Sequence, residues 1–291
     1  MAQRIALGIC IAALACAAWL GCNSSTGPSD DENVRGLIDG EYAAYFNDSE
    51  AYGGGKPGGD GYERPALGGD AAATLPVAWW RTVTYAKRDY WIHIEAPYTT
   101  ADVIVKDDIQ GLMYIDRTTN GTLDPGSKPV AIERTRYATF ERATTDDPWA
   151  LTAISPAVWA LADAGRQTVA ITSVRLVTAG GYDRTFTDMT EPIPLDELPH
   201  VTYGEEVTVT MKATNTSGEE WEPATFCFDH HDWKRGLMDD DGAGTYTGTY
   251  TITADPGVRH GGVSGIDAGT MQNESEDDYN ADGWSLPFEV Q

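Results

Sequence analysis

The spacing of apolar residues changes several times along the chain, and each change marks an element. From Ile5 to Cys22 there is no charge, behind a short start whose one cation is Arg4. That is the charged n-region and apolar h-region of an export signal, and it falls short of the roughly 20 residues a bilayer-spanning helix needs. Residues 22–30 are polar and small after the cysteine and read as a flexible tether. Val34, Leu37, Ile38, Tyr42, Tyr45 and Phe46 then recur at helical spacing, which predicts one amphipathic helix from Asp31 to Asn47. Asp30, Asp31 and Glu32 supply the acids its first turn favours. Tyr52 to Ala73, with its Gly-Gly-Gly and Gly-Gly-Asp runs, is a long loop.

From Trp79 the period falls to two. Trp79, Arg81, Val83 and Tyr85 share one face, and Tyr90, Ile92, Ile94 and Ala96 share another. Strands are expected next over Ala101 to Lys106, Gly111 to Asp116, Ile132 to Arg142 and Trp149 to Ile154, with Thr144-Thr145-Asp146-Asp147-Pro148 as a turn. The sum is one helix followed by five or six antiparallel strands within residues 31–160.

A second β-rich unit is expected over residues 166–291. Val169, Ile171, Val174 and Leu176 begin it, and the prolines of Glu191 to Pro199 make a stiff connector. Val207, Val209, Met211 and Ala213 alternate with polar residues, as do Phe226 and Phe228, and Tyr246, Gly248, Tyr250 and Ile252 alternate with threonines. Arg259 to Ile266 and Leu286 to Val290 close the series. Short strands separated by turn signals describe a β-sandwich.

Three resemblances add to this reading. The end of the apolar stretch, Trp19-Leu20-Gly21-Cys22, resembles the lipobox of bacterial lipoproteins, in which the signal (here residues 1–21) is cut before a cysteine that carries the lipid. Ala13-Leu14-Ala15-Cys16 is a second match, but cutting there leaves apolar Ala17 to Leu20 at the head of the chain. The helix and strands of residues 31–160 are similar to the ketosteroid-isomerase-like, or cystatin-like, α+β cone, a family in which a curved antiparallel sheet wraps one long helix and often leaves a pocket. Residues 238–250, an acidic Gly-rich turn followed by Thr-Tyr-Thr-Gly-Thr-Tyr, resemble the turn and strand of bacterial immunoglobulin-like modules. The expected fold is an α+β domain followed by an all-β immunoglobulin-like sandwich, mostly β overall.

Charge narrows the partners. The chain has 45 Asp and Glu against 20 Lys and Arg, a formal net charge of −25. Nucleic acid and anionic headgroups need basic patches, so nucleic acid is not expected as a partner. Cys10 and Cys16 leave with the signal, so Cys22 and Cys227 remain. Acylation of Cys22 then precludes an intramolecular disulfide, and the cores must be stable without one. Acyl chains on Cys22 would hold the protein to a membrane surface, since each buried methylene contributes about 0.8 kcal/mol. The location implied is the bacterial cell envelope, lipid-anchored, on its periplasmic or outer surface.

Candidate chemistry is sparse. Asp239, Asp240 and Asp241 could offer oxygens to Ca²⁺, although the same residues make ordinary tight turns. No other cofactor is expected. His230, His231 and Asp232, with His260 on a neighbouring strand, have zinc-binding side chains, but adjacent strand residues point to opposite faces. Trp79, Trp91, Tyr114 and Trp149 could line a pocket around His93, or could be core and cross-strand pairs. No nucleophile elbow, phosphate loop or metalloprotease helix occurs. The leading expectation is a non-enzymatic binding or surface-architecture protein with a protein or glycan partner. The alternative is a small-molecule-binding or catalytic pocket in the first domain, displayed by the sandwich.

Overall fold

The structure is a computed structural model that describes residues 29–48, 78–118, 122, 124–217, 221–228, 234–272 and 279–291. Cys22, most of the tether, the loop 52–73 and the His230-His231-Asp232 run lie outside the described residues. The fold is mostly β, with antiparallel sheets and a few short helices.

Helix α1 spans Asp30–Asp39. Its N-cap is Ser29, whose hydroxyl accepts from the Glu32 amide at 3.3 Å, while the Glu32 carboxylate accepts from the Ser29 amide at 2.8 Å. This reciprocal box satisfies two amides that would otherwise lack partners, and the three acids of the first turn suit the positive end of the helix dipole. Val34 and Ile38, one turn apart, are fully buried. Burying a side chain of that size stabilises by about 1.5–3 kcal/mol.

The single helix expected over Asp31 to Asn47 is two. α1 stops at Gly40, where a Cβ would stand 2.8 Å from the Gly36 carbonyl oxygen, and the chain restarts as a one-turn α2, Ala43–Phe46. The Tyr42 amide reaches back five residues to the Leu37 carbonyl at 2.9 Å, a turn wider than the α-helical one, and Phe46 beyond it is buried in the core.

Strands β1, Ala78–Glu95, and β2, Thr100–Asp116, form one long antiparallel hairpin. Each was expected as two short strands. The polar residues between the apolar runs, such as Lys87 and Asp108, continue the ladder instead of turning it. The register shifts once, between Val83 and Tyr85, where the Thr84 hydroxyl donates to the Gln110 carbonyl at 3.2 Å. Gly111 lies opposite this bulge, and a Cβ there would run into the Thr82 carbonyl.

β3, Gly126–Glu141, pairs along the whole of β2. Its far side is divided: β4, Ala150–Ile154, takes one half and β5, Ala157–Leu161, the other. The chain then makes β6, Val169–Thr178; β7, Asp183–Phe186; the two-residue β8, Ile193–Pro194, and β9, His200–Val201; and β10, Glu206–Asn215. β11, Trp221–Phe228; β12, Lys234–Leu237; β13, Asp239–Asp240; β14, Thr245–Thr251; β15, Gly257–Asp267; and β16, Ala281–Val290, complete it.

Two sheets result. The larger runs β1-β2-β3-β5-β16-β15-β11-β12, and the smaller runs β13-β14-β10-β6-β7. Pairing of β5 with β16 places strands of residues 31–160 and of residues 166–291 in one sheet. β6 and β10 pack across against β15 and β16 in a sandwich-like arrangement. One core cluster fills this space and continues under α1, joining Val209, Met211, Leu286 and Phe288 to Val103, Phe140, Val34 and Ile38. A second gathers Ile109, Met113, Val130, Ile132 and Trp159 toward the other end of β2 and β3.

Candidate functional site

Alternation along the paired strands sets which side chains share a face, and the register sets which stand side by side. Trp91 of β1 is opposite Ile104 of β2, which is opposite Tyr137 of β3. The next row on that face is His93, Asp102 and Thr139. An aromatic and aliphatic row thus lies beside a polar one, with Trp91 about half exposed at 51%. A groove of about 670 Å³ lies at this end of the sheet, lined by Trp91, His93, Asp102, Ile104 and Tyr137, by Tyr90, Ile92, Val103 and Ala138 at the alternate positions, which share a face with α1, by Asp31 and Arg35 from α1, and by Thr190 and Pro192. The Arg35 guanidinium lies over the Tyr90 ring, 5.6 Å from its centre. The Tyr90 hydroxyl donates to the Asp39 carboxylate at 2.5 Å, and its pKa is pushed up to about 12 by burial and by that carboxylate.

Of the five residues expected to form a pocket, Trp91 and His93 line the groove. The other three stand elsewhere. Trp79 is buried in the second core cluster beneath the Arg81 guanidinium. Tyr114 stacks on its cross-strand neighbour Trp80, with ring centres 4.9 Å apart and planes 12° from parallel. Trp149 is held under Arg142, 4.2 Å from its ring, and its indole N–H donates to Asp30 at 3.4 Å. Each of these three rings is taken up by a neighbour within the protein, a guanidinium or a stacked ring, and none lines the groove. Ile104, Tyr137, Asp31 and Arg35 were missed, since only the register brings the first two beside Trp91 and only the seat of α1 brings the last two to the groove.

A second constellation lies inside the protein. Asp48, just after α2, is fully buried, and both its oxygens are held by β3: Arg134 pairs with one, and Arg136 Nη2 reaches the other at 2.9 Å. The Ser285 hydroxyl also donates to this carboxylate. Arg134 makes a further ion pair with Asp107, and Arg88 Nε reaches Asp107 at 2.8 Å. Arg88 in turn lies 3.5 Å from Asp39. Three guanidiniums and three carboxylates therefore balance in charge.

Burial dominates the ionisation of this group. It lifts the Asp107 carboxyl above its ordinary range, opposed by Arg88. It pulls Arg136 down to about 9, helped by the nearby charge of Arg88. His260 of β15 sits at the edge, with Nε2 3.3 Å from the Tyr45 carbonyl oxygen and 3.4 Å from Arg136 Nη1. An Nε2–H can donate to the carbonyl, while burial and the neighbouring guanidiniums disfavour a second proton on the ring. Burial and Arg136 hold its pKa well below the usual histidine value. Every carboxylate in the group is committed to a guanidinium, so the arrangement ties the α2 turn to the sheet and offers no free base.

The metal candidates do not converge. Asp240 accepts from the Gly242 amide at 2.8 Å, and Asp241 accepts from Ala243 at 2.7 Å and Thr245 at 3.1 Å, so both carboxylates close the β13–β14 turn. Asp239 is in β13, paired with Thr247. His260 faces Arg136, Arg134 and Arg259, cations that oppose a metal ion. Among the described residues no three His, Cys, Asp or Glu side chains gather around a common point. Cys227 lies in β11 between Gly261 and Lys234. Among the described residues no helix is long and apolar enough to cross a membrane. Comparison with protein-family models, with curated proteins and with solved structures finds no match for this chain.

Proposed function

We propose that this chain is a lipid-anchored protein of the bacterial cell envelope that works by binding, and that the groove around Trp91 holds its ligand. The anchor rests on the uncharged stretch Ile5 to Cys22, the lipobox-like Trp19-Leu20-Gly21-Cys22 and the polar residues that follow. Residues 31–160 are read as the cone-like α+β domain that presents most of the groove, and residues 166–291 as an immunoglobulin-like module that supports it and adds Thr190 and Pro192 to its lining. The observation that carries the binding reading is the row Trp91-Ile104-Tyr137 beside the row His93-Asp102-Thr139. Ring faces take up apolar ligand surface, while a carboxylate, an imidazole and a hydroxyl orient polar substituents. Such a floor suits a sugar ring, which has an apolar C–H face and a hydroxyl edge.

Two measurements test the two halves. Replacing Cys22 by Ser is expected to move the protein from the membrane fraction to the soluble one, and a variant that stays membrane-bound would remove the anchor. Titrating the full chain with a panel of neutral oligosaccharides, followed by tryptophan fluorescence, is expected to give saturable binding that Trp91→Ala weakens at least tenfold. A panel that leaves the fluorescence unchanged, or binding that Trp91→Ala leaves intact, would remove the groove as the site.

A further inference from the structure

β1 ends the larger sheet: among the described residues it pairs with β2 on one side and with no strand on the other. A long open edge normally invites uncontrolled strand pairing, and proteins often guard it with charge. Here the outward-facing residues on the regular stretch after the bulge have an unusual order. Tyr85 and Trp91 are exposed at 50% and 51%, and between them stand Lys87, also exposed, and Asp89, partly exposed. The sequence of types, aromatic, cation, anion, aromatic, is complementary to itself when reversed.

We infer that β1 pairs with β1 of a second copy of this chain, antiparallel and centred on Arg88, to form a two-fold dimer. In that register position 87 faces the second copy's 89, and position 85 faces the second copy's 91. Both opposite-charge pairs and both aromatic pairs form at once, with facing Cβ atoms about 4.5–5.5 Å apart. The contact is isologous, as a closed dimer requires. Centring on Lys87 instead sets lysine against lysine, and centring on Asp89 sets aspartate against aspartate. A one-residue slip turns the aromatic face of one copy against the opposite face of the other. Charge complementarity therefore selects the Arg88-centred register.

That register brings the two Arg88 side chains opposite each other. Each is already held by Asp107 at 2.8 Å and lies 3.5 Å from Asp39, so neither presents an uncompensated cation. Lys87 and Asp89 pair within one copy at 2.7 Å, and in the dimer they exchange partners without loss of ion pairing. The second copy's Tyr85 comes to stand beside Trp91 and broadens the aromatic floor at that edge.

The test is a charge-swap series on the full chain, purified in mild detergent and weighed by native mass spectrometry over a concentration series. The parent chain is expected to show dimer. Lys87→Glu places two anions against two anions, and Asp89→Lys places two cations against two cations; each is expected to weaken dimerisation about tenfold or more. The double variant Lys87→Glu/Asp89→Lys is expected to restore it. An equimolar mixture of the two single variants is expected to form heterodimer in preference to either homodimer, a result unique to the 87-to-89 pairing. Both side chains reach solvent, so the variants should fold, and circular dichroism checks that they do. A parent chain that is monomeric throughout, single variants that dimerise like the parent, or a mixture with no heterodimer preference would each overturn the proposal.

Discussion

Arg136 Nη2 lies 2.9 Å from a carboxylate oxygen of Asp48, and both residues are wholly shielded from solvent. The two are joined across 88 positions of sequence, and Arg134 occupies the other Asp48 oxygen. Removing the carboxylate takes away the ion-pair partner of Arg136 and leaves Arg134 sharing Asp107 with Arg88. Breaking a buried ion pair by deleting one partner typically costs about 3–5 kcal/mol, because the desolvated charge left behind is uncompensated. Asp48→Ala should therefore lower the urea midpoint strongly with little change in slope. A loss under about 1 kcal/mol would mean that water reaches the site and that the network is not the tie described above.

His260 sets an acid limit on stability. Burial, then Arg136, holds its folded pKa well below the ordinary value of 6.5. In the unfolded chain the imidazole takes up a proton near pH 6.5, whereas in the folded protein it stays neutral. The unfolded state then binds more protons, so stability is fully present above pH 6.5 and is lost as pH falls below it toward the folded pKa. Thermal melts of the parent and His260→Gln, compared from pH 7.5 to 5, should show the parent losing melting temperature faster. Parallel curves would show that the ring is already protonated or solvated.

How much of this was visible in the sequence depends on whether a feature is local. Val34 and Ile38 announced a helix, and alternating residues such as Val103, Val105, Val207 and Val209 announced strands, because those patterns report one buried face directly. The break at Gly40 was only partly legible: Gly36 and Gly40 each weaken a helix by about 1 kcal/mol relative to alanine, but the apolar spacing continues through the point where the backbone turns. Trp91 and His93 were singled out, yet Ile104 and Tyr137 were not, because register is a property of two strands and appears in neither alone. Asp48 and His260 were missed as a group for the same reason. One signal was present: Arg134 and Arg136 share parity with Ile132, Ala138 and Phe140, the inward face of β3. Two arginines on an apolar face require buried acids, and the sequence could not say which.

Asp282 acts in the opposite sense to His260. Its carboxyl is pushed up to about 6 by burial, which outweighs the hydrogen bonds it accepts from the Ile171 and Gly283 amides. Between its unfolded value of 3.8 and 6 the folded state keeps a proton that the unfolded state releases. The stability this group contributes is full below pH 3.8 and is lost as pH rises through 6, a swing on the order of 3 kcal/mol. Asp282→Asn removes the titration. The difference in unfolding free energy between variant and parent should therefore shift in favour of the variant from pH 4 to 7. A difference that is constant with pH would show that Asp282 ionises freely in the folded protein.

Two glycine-to-alanine changes should move stability in opposite directions, and the contrast tests the hairpin geometry directly. Gly36 lies within α1, and nothing stands within 4 Å of where its Cβ would be. Alanine there loses less backbone entropy on folding, so Gly36→Ala should stabilise by about 0.5–1 kcal/mol. Gly111 is buried opposite the bulge, and a Cβ would collide with the Thr82 carbonyl, a backbone atom that cannot rotate away. Relief requires β1 and β2 to separate locally, with a cost of about 1–3 kcal/mol for Gly111→Ala. Chemical denaturation of both variants reads the two signs. Hydrogen exchange should place the added opening of Gly111→Ala at the amides around Thr82 to Tyr85 while leaving those of β10 unchanged. If Gly111→Ala were as stable as the parent, β1 and β2 would have to be paired in another register. The row Trp91-Ile104-Tyr137 depends on that same pairing, so the candidate groove would then have to be redrawn.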